Sequence, residues 1–270
     1  MLMEPKISVV TISFNQAAFL EKTILSVLNQ DYLNYEYIII DGGSTDNSVE
    51  IIKKYEEKII YWSSEPDNGP ADALNKGFSI ATGGIYTFLN SDDVILAGTF
   101  SKVINQFQKN KDIDILYGNC LQIDDTGKVT RKLYSNKWNF RRFTFGESNI
   151  IQQSAYFTKN IFKKVHGFNH NNHTCWDREL WARFGLAQAN FFYLNEFLGA
   201  FRIHKDSITG SARLNEKYIL EVEAIKKEII AKYEIPIFYN RYLAKLEKFI
   251  LSPYASIRSI YESFKYKIYH

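Results

Sequence analysis

From residue 7 to about residue 110, short runs of apolar, β-branched residues alternate with stretches of helical spacing. Residues 7–12 (ISVVTI) have the continuous apolar pattern of a strand buried on both faces. Ala17, Leu20, Ile24, Val27 and Leu28 then share one face of a helix over 17–30. Tyr37 to Ile40 predicts a second buried strand, ending at Asp41-Gly42-Gly43, and Ser44 or Asp46 stands ready to cap a helix over 47–56. Ile59 to Trp62 reads as a third strand. The loop Glu65-Pro66-Asp67-Asn68-Gly69-Pro70 leads into a helix near 71–81, which Gly83-Gly84 stops before a fourth strand at Ile85 to Leu89.

The pattern continues with a helix over 99–109, a strand near 113–118 and a turn at Asp124-Asp125-Thr126-Gly127 between two strands. A helix near 177–187 and a strand near 191–194 lead towards Phe201-Arg202-Ile203-His204. From about 211 the spacing is helical to the end, with breaks at Pro236 and Pro253. There is no internal repeat and no low-complexity tract. Alternation at such short intervals predicts an α/β fold with a parallel, doubly wound sheet. Ligands in such sheets bind beyond the carboxyl ends of the strands. That rule selects Ser13 and Asn15, Asp41, Glu65 and Asp67, and Asn90 to Asp93, a polar group at each strand end.

Composition narrows the class. Hydrophobic residues are 46% of the 270, enough for a sizeable core, and charged residues are 23%. A net charge of +3 gives no nucleic-acid footprint. Cys120 and Cys175 have no metal spacing and suit two reduced, buried thiols of a cytosolic protein. The N-terminus has no signal-peptide pattern, and no stretch of 18 apolar residues predicts a membrane-spanning helix, so membrane contact is expected to be peripheral.

Adjacent carboxylates at Asp92 and Asp93 repel unless a cation or donors offset them, and hard divalent ions favour such oxygens together with phosphate. The same residues also suit a plain turn before the next helix. Asp41-Gly42-Gly43-Ser44-Thr45-Asp46 is neither a GxGxxG fingerprint nor a P-loop, which weakens dinucleotide and P-loop chemistry. Asp41 can accept hydrogen bonds from a base or sugar, and Lys76, beside Asn75, can reach a phosphate or lie solvated on a helix surface. Asp177 in Trp176-Asp177-Arg178-Glu179-Leu180-Trp181 can be a general base or a helix N-cap. Strand alternation puts Arg202 and His204 on one face, where they can meet a diphosphate or metal. Residues 241–270 carry six basic residues against two glutamates, interleaved with aromatics, which suits an interfacial helix at an anionic membrane or a helix packed with a solvated basic face.

Taken in order, ISVVTISFN (7–15), SVLNQD (26–31), DGGSTDNS (41–48), DALNKGFSIATG (72–83) and FLNSDD (88–93) resemble glycosyltransferase family 2, whose fold is of the GT-A type. Weaker matches follow at 176–183 and 201–209, so the resemblance spans about residues 5–210. It implies that Asp41 holds the nucleotide base and that Thr11, Ser13 and Asn15 surround the nucleoside. It also implies that Asp72 and Lys76 lie in the donor region, that Asp92 and Asp93 bind ribose, diphosphate and a divalent ion (manganese or magnesium) with His204 beside them, and that Asp177 is the catalytic base. Many members have Asp where this chain has Asn90, which moves the metal burden to Asp92 and Asp93. The family's base usually follows a Glu; here Trp176 precedes it.

The implied activity is inverting transfer of a sugar from a nucleotide diphosphate sugar to an acceptor hydroxyl, with a glycan or lipid-linked acceptor in surface polysaccharide or glycolipid assembly. The expected organisation is a GT-A domain over 1–210, with a nucleotide-binding half at about 1–95 and an acceptor-side half at 96–210. A helical extension follows at 211–270 and touches the inner face of the cell membrane from the cytoplasm. Two other readings fit the same sheet: another nucleotide-binding enzyme such as a nucleotidyltransferase, and a non-catalytic scaffold.

Overall fold

Every residue of β1 (Ile7–Ser13) is buried, because the strand is central and covered on both faces. It pairs in parallel with β2 (Tyr35–Asp41) on one side and β4 (Ile85–Asn90) on the other, and β2 pairs in parallel with β3 (Tyr61–Ser64). The structure is a computed structural model, and it describes residues 4–205, 214–236, 238–253, 256–258 and 260–262. Residues 206–209 of the weaker sequence match, 211–213 and the terminal 263–270 lie outside the described residues.

Period-two alternation sorts the strand residues between two cores. Val10, Ile12, Ile38 and Ile40 face one apolar cluster, while Ile7, Val9, Tyr37 and Ile39 face the other. α1 (Ala17–Leu28) and α4 (Thr99–Lys109) cover the second cluster with Leu20, Ile24 and Val27, and with Phe100, Val103 and Ile104. α3 (Pro70–Ile80) covers the first, and α2 (Ser48–Lys53) lies against α1. α3 begins at a proline, whose missing N–H costs nothing in the first turn. Its Gly77 allows close approach, since a Cβ there would come within 2.5 Å of Val10 Cγ1.

The sheet is continuously parallel through β3-β2-β1-β4. β8 (Ala155–Thr158) joins β4 antiparallel, pairing Ile85 with Thr158 and Tyr86 with Phe157. β6 (Ile115–Ile123) continues from β8 antiparallel and pairs in parallel with the long β9 (Phe191–Arg202). β5 (Val94–Ile95) closes that edge against β9, and β7 (Val129–Leu133) forms a hairpin with β6. The resulting order is β3-β2-β1-β4-β8-β6-β9-β5. The GT-A-type, Rossmann-like, mostly parallel sheet with flanking helices and C-terminal helices that the sequence predicts is the one observed. Which strands run antiparallel, β8 and β5 among them, is not in the sequence pattern, because hydrophobic periodicity does not encode strand direction.

Further differences are local. The strand expected near 191–194 runs on as one strand to Arg202. Ser44 caps no helix: its hydroxyl donates to Asp41 Oδ1 at 2.6 Å, while Asp46 accepts from Ser48 N at 3.0 Å and Ala17 N at 2.9 Å. α5 (Phe140–Thr144), α6 (Lys159–Lys164) and α7 (Trp176–Leu186) lie on the first cluster. α8 (Asn215–Tyr233) and α9 (Arg241–Leu251) follow, and Ile225, Ile229 and Ala244 are buried in that same core.

Candidate active site

The parallel register brings the strand ends into line: Ser13 pairs with Asp41, Asp41 with Ser64, and Ile12 with Asn90. A cleft of about 1030 Å³ opens beyond them. Ser13, Gly42, Asp67, Asn90 and Asp92 line it from this half, and Gln152, Gln153, Asp177, Arg178 and Trp181 from the other. Tyr218 on α8 completes the wall.

Asn15 sits at φ +53°, a conformation that Asn tolerates because its side chain bonds locally. Its Oδ1 accepts from Thr45 N at 2.8 Å, and its own N–H donates to Ser44 Oγ at 2.8 Å. These bonds tie the β1 loop to the β2 loop. Asp41 is fully buried and accepts from Ser44 N, Ser44 Oγ and Ser64 Oγ at 2.8, 2.6 and 2.7 Å. Thr11 lies within β1, where its hydroxyl accepts from Tyr37 at 3.0 Å. Asp41 and Thr11 are therefore behind the cleft wall, whereas Ser13 is on it.

Asp92 and Asp93 diverge. Asp92 faces the cleft, with His204 Nε2 3.1 Å from its Oδ2. Asp93 points inward: its Oδ1 accepts from Arg202 N at 2.9 Å and its Oδ2 from Gln153 Nε2 at 2.7 Å. Burial, together with the neighbouring Asp92 charge, holds the Asp93 carboxyl well above the usual carboxylate range. Thr23 on α1 fixes this turn from beneath by donating to Ser91 O and Asp93 O at 2.9 and 2.7 Å. Arg202 is buried, and its guanidinium donates to the carbonyls of Asp92 and Asp124 at 2.8 and 2.7 Å, so it braces the turn from behind. Among the described residues no three His, Cys, Asp or Glu side chains converge as a metal cage. Asp92 on this wall and His204 beside it are the residues that could hold a magnesium or manganese ion together with phosphate and water oxygens.

Asp177 lies in the first turn of α7, with Cys175 at the cap position. Burial raises its pKa, and the opposing backbone bond and Arg178 charge do not cancel that. Glu179 is spent elsewhere, accepting from Asn169 Nδ2 at 2.9 Å and Asn172 Nδ2 at 2.7 Å. Lys76 is paired with Glu65 at 2.7 Å, and Asp72 accepts from Asn68 N at 3.1 Å with His170 at 3.4 Å. Both sit on α3 beside the cleft rather than in its wall. Asn75 bridges to the backbone of Phe168, accepting from its N–H and donating to its carbonyl, each at 2.9 Å.

Five residues of the cleft wall hold a buried polar atom with no protein partner: Ser13 Oγ, Asn90 Oδ1, Gln152 Oε1, Arg178 Nε and Trp181 Nε1. Each such atom costs about 1–3 kcal/mol unless something else satisfies it, and their convergence on one cavity marks a ligand site. Sequence reasoning missed Gln152 and Gln153, although two adjacent amides in the largely apolar 150–157 run are a readable signal. It also missed Tyr218, for which no pattern in the sequence points to the cleft. Burial raises the Tyr218 phenol, which lies close enough to Arg178 and Asp177 to feel both charges. α8 is fastened there by Glu221, whose carboxylate accepts from His173 N at 3.2 Å, Thr174 N at 3.0 Å and the Thr174 hydroxyl.

Comparison with known proteins agrees with this geometry. An uncharacterized glycosyltransferase of Methanocaldococcus jannaschii is 28% identical over 224 residues, covering 80% of this chain and 77% of its own. A GalNAc(5)-diNAcBac-PP-undecaprenol beta-1,3-glucosyltransferase of Campylobacter jejuni is 29% identical over 227 residues, 78% of this chain and 69% of its own. A mannosyltransferase from Pyrobaculum calidifontis, solved with GDP-Man and Mn2+, superposes with a TM-score of 0.67 at 16% identity, over 94% of this chain and 72% of its own. That likeness shows the fold to be GT-A. The model of Glycosyl transferase family 2 matches residues 8–165, more than half the chain, and the chain belongs to that family.

Proposed function

We propose that the protein is an inverting, metal-dependent glycosyltransferase that moves a sugar from a nucleotide diphosphate sugar to an acceptor hydroxyl. The observation that carries this reading is one cleft with two separated carboxylates of different character: Asp92, paired with His204, and Asp177, raised by burial. The Asp177 carboxylate takes the proton of the acceptor hydroxyl as its oxygen bonds to the anomeric carbon. The bond from that carbon to the diphosphate breaks with its electron pair leaving on phosphate, and a single displacement inverts the centre. Asp92 and His204 would hold a manganese or magnesium ion, which supplies charge neutralisation at the departing diphosphate. Ser13 lines the nucleoside end, Asn15 and Asp41 hold its loop in shape, and Thr11 lies behind it in β1. Asp93 acts as a positioning group for Asp92, and Lys76 and Asp72 serve the donor side from α3.

The acceptor is a glycan carried on lipid, and the reaction takes place at the cytoplasmic face of a membrane. The PP-undecaprenol in the Campylobacter relative's name supports this, as does the apolar surface of the C-terminal helices. Among the described residues no helix is long and apolar enough to cross a membrane. The test is incubation with a panel of UDP- and GDP-sugars and membrane-extracted lipid-linked glycans, with and without manganese. The expected result is manganese-dependent release of nucleoside diphosphate without pyrophosphate, and a product whose anomeric configuration by NMR is opposite to the donor's. Pyrophosphate release, or full activity in excess EDTA, overturns the reading.

A further inference from the structure

α9 is mounted with its polar side inward. Asn240 caps it, accepting from Tyr242 N and Leu243 N at 3.0 and 3.2 Å, so the helix is locally well determined. At about 100° per residue, Ala244, Glu247, Lys248 and Arg241 fall on one side. That side meets the body: Ala244 is buried, Lys248 and Arg241 reach Glu147 at 3.3 and 3.5 Å, and Glu247 accepts from the Tyr239 hydroxyl at 2.6 Å. The opposite arc, about 100° wide, holds Tyr242, Leu246, Phe249 and Ile250. These are 86%, 56%, 50% and 64% exposed. A protein surface in water does not keep a continuous apolar helix face without a use for it.

We propose that this outward face of α9 docks onto an anionic lipid bilayer, lying in the plane of the headgroups. Charge selects this occupant. Both acidic residues of the segment, Glu247 and Glu262, are held within the protein, at the Tyr239 hydroxyl and at Lys132 N respectively. The exposed charges of α9 itself are Lys245, at the edge of the apolar face, and Arg241, whose side chain stays 78% exposed while it reaches Glu147; both are basic. Basic residues rimming an aromatic and aliphatic face match a negative headgroup layer. A second copy of the same face would instead bring like charges together. The purpose of such docking, bringing the cleft to a lipid-linked acceptor, rests on the proposed function; the binding itself does not.

The experiment is co-sedimentation of the full chain at low ionic strength with vesicles of phosphatidylcholine plus phosphatidylglycerol, or of phosphatidylcholine alone. The wild type is expected to pellet with the anionic vesicles and to be released by added salt. The triple variant Leu246→Ser, Phe249→Ser, Ile250→Ser should bind at least about tenfold more weakly. Because these side chains are exposed, its far-UV circular dichroism and its thermal shift with UDP should match the wild type's. Lys245→Glu should lose affinity for anionic vesicles. Wild-type protein that stays in the supernatant overturns the proposal, as does a triple variant that pellets equally well. So does a wild-type dimer in sedimentation velocity that the triple variant abolishes while neither protein binds vesicles. A failure of the UDP shift in every variant would count against the nucleotide site and leave the vesicle result intact.

Discussion

Asp177 and Glu179 stand two positions apart in one helix turn, and their surroundings give them different work. Glu179 accepts two amide N–H bonds and is a structural carboxylate. Asp177 lines the cleft, and burial raises its pKa. Asp177→Asn should therefore lower kcat by about a hundredfold or more while donor binding, read by thermal shift, is unchanged. Glu179→Gln should leave kcat within a few-fold. A base must be deprotonated to act, so kcat should fall as pH drops through a midpoint above the ordinary aspartate range, and a flat acid limb would exclude Asp177. Asp92 and Asp93 divide in the same way. Asp92→Ala should lose metal-dependent nucleotide binding with little change in Tm. Asp93→Ala leaves the Arg202 N–H and the Gln153 amide buried without acceptors, at about 1–3 kcal/mol each, so its Tm should drop by several degrees.

Among the elements, β1, β2 and the end of α3 are joined by one buried carboxylate. Glu36 accepts from Ser8 Oγ and Thr82 Oγ1, each at 2.6 Å, from Gly83 N at 3.1 Å, and pairs with Lys6 at 2.6 Å. Burial opposes its charge, but these donors win and hold its pKa down at about 2, from 4.5. A folded-state pKa below the unfolded one contributes stability that is complete above the unfolded value and is lost as pH falls from 4.5 towards 2. The shift corresponds to roughly 3 kcal/mol. Denaturant titrations of wild type and Glu36→Gln should differ most near neutral pH and converge towards about pH 2; a constant gap would show that the charge of Glu36 is not the cause. α8 offers a second test at this scale. Ile229 is buried in the first core cluster, and Ile229→Ala should cost about 2–5 kcal/mol in the same titration. Elements such as α4 at 99–109 were legible because five buried residues repeat at helical spacing. The direction of β8 and the seating of α8 were not. Both depend on partners far away in the chain, and neither leaves a periodic trace.

At the scale of the whole molecule, four of the residues that the strand-end rule selects, Ser13, Asp67, Asn90 and Asp92, line the cleft, whereas Asn15, Asp41, Glu65 and Asp93 do not. The rule could not say which oxygen of each residue is already engaged, so Asp41 and Thr11 were indistinguishable in sequence from groups that face a ligand. The unpartnered atoms around the cavity connect the site to global stability. A ligand that satisfies Ser13 Oγ, Asn90 Oδ1 and their neighbours binds the folded state alone and must raise its unfolding free energy by mass action. At a hundred times its dissociation constant the gain is about 2.7 kcal/mol, which for a chain of this size is a Tm increase of roughly 5 °C or more. Nucleoside diphosphate alone should give part of this increase, and manganese should add to it by joining the diphosphate to Asp92. In Asp92→Ala the manganese increment should vanish while the nucleotide increment remains. If manganese raises Tm equally with and without nucleotide, or equally in Asp92→Ala, the ion is held somewhere other than beside Asp92 and His204, and the division of labour between the two halves of the cleft has to be redrawn.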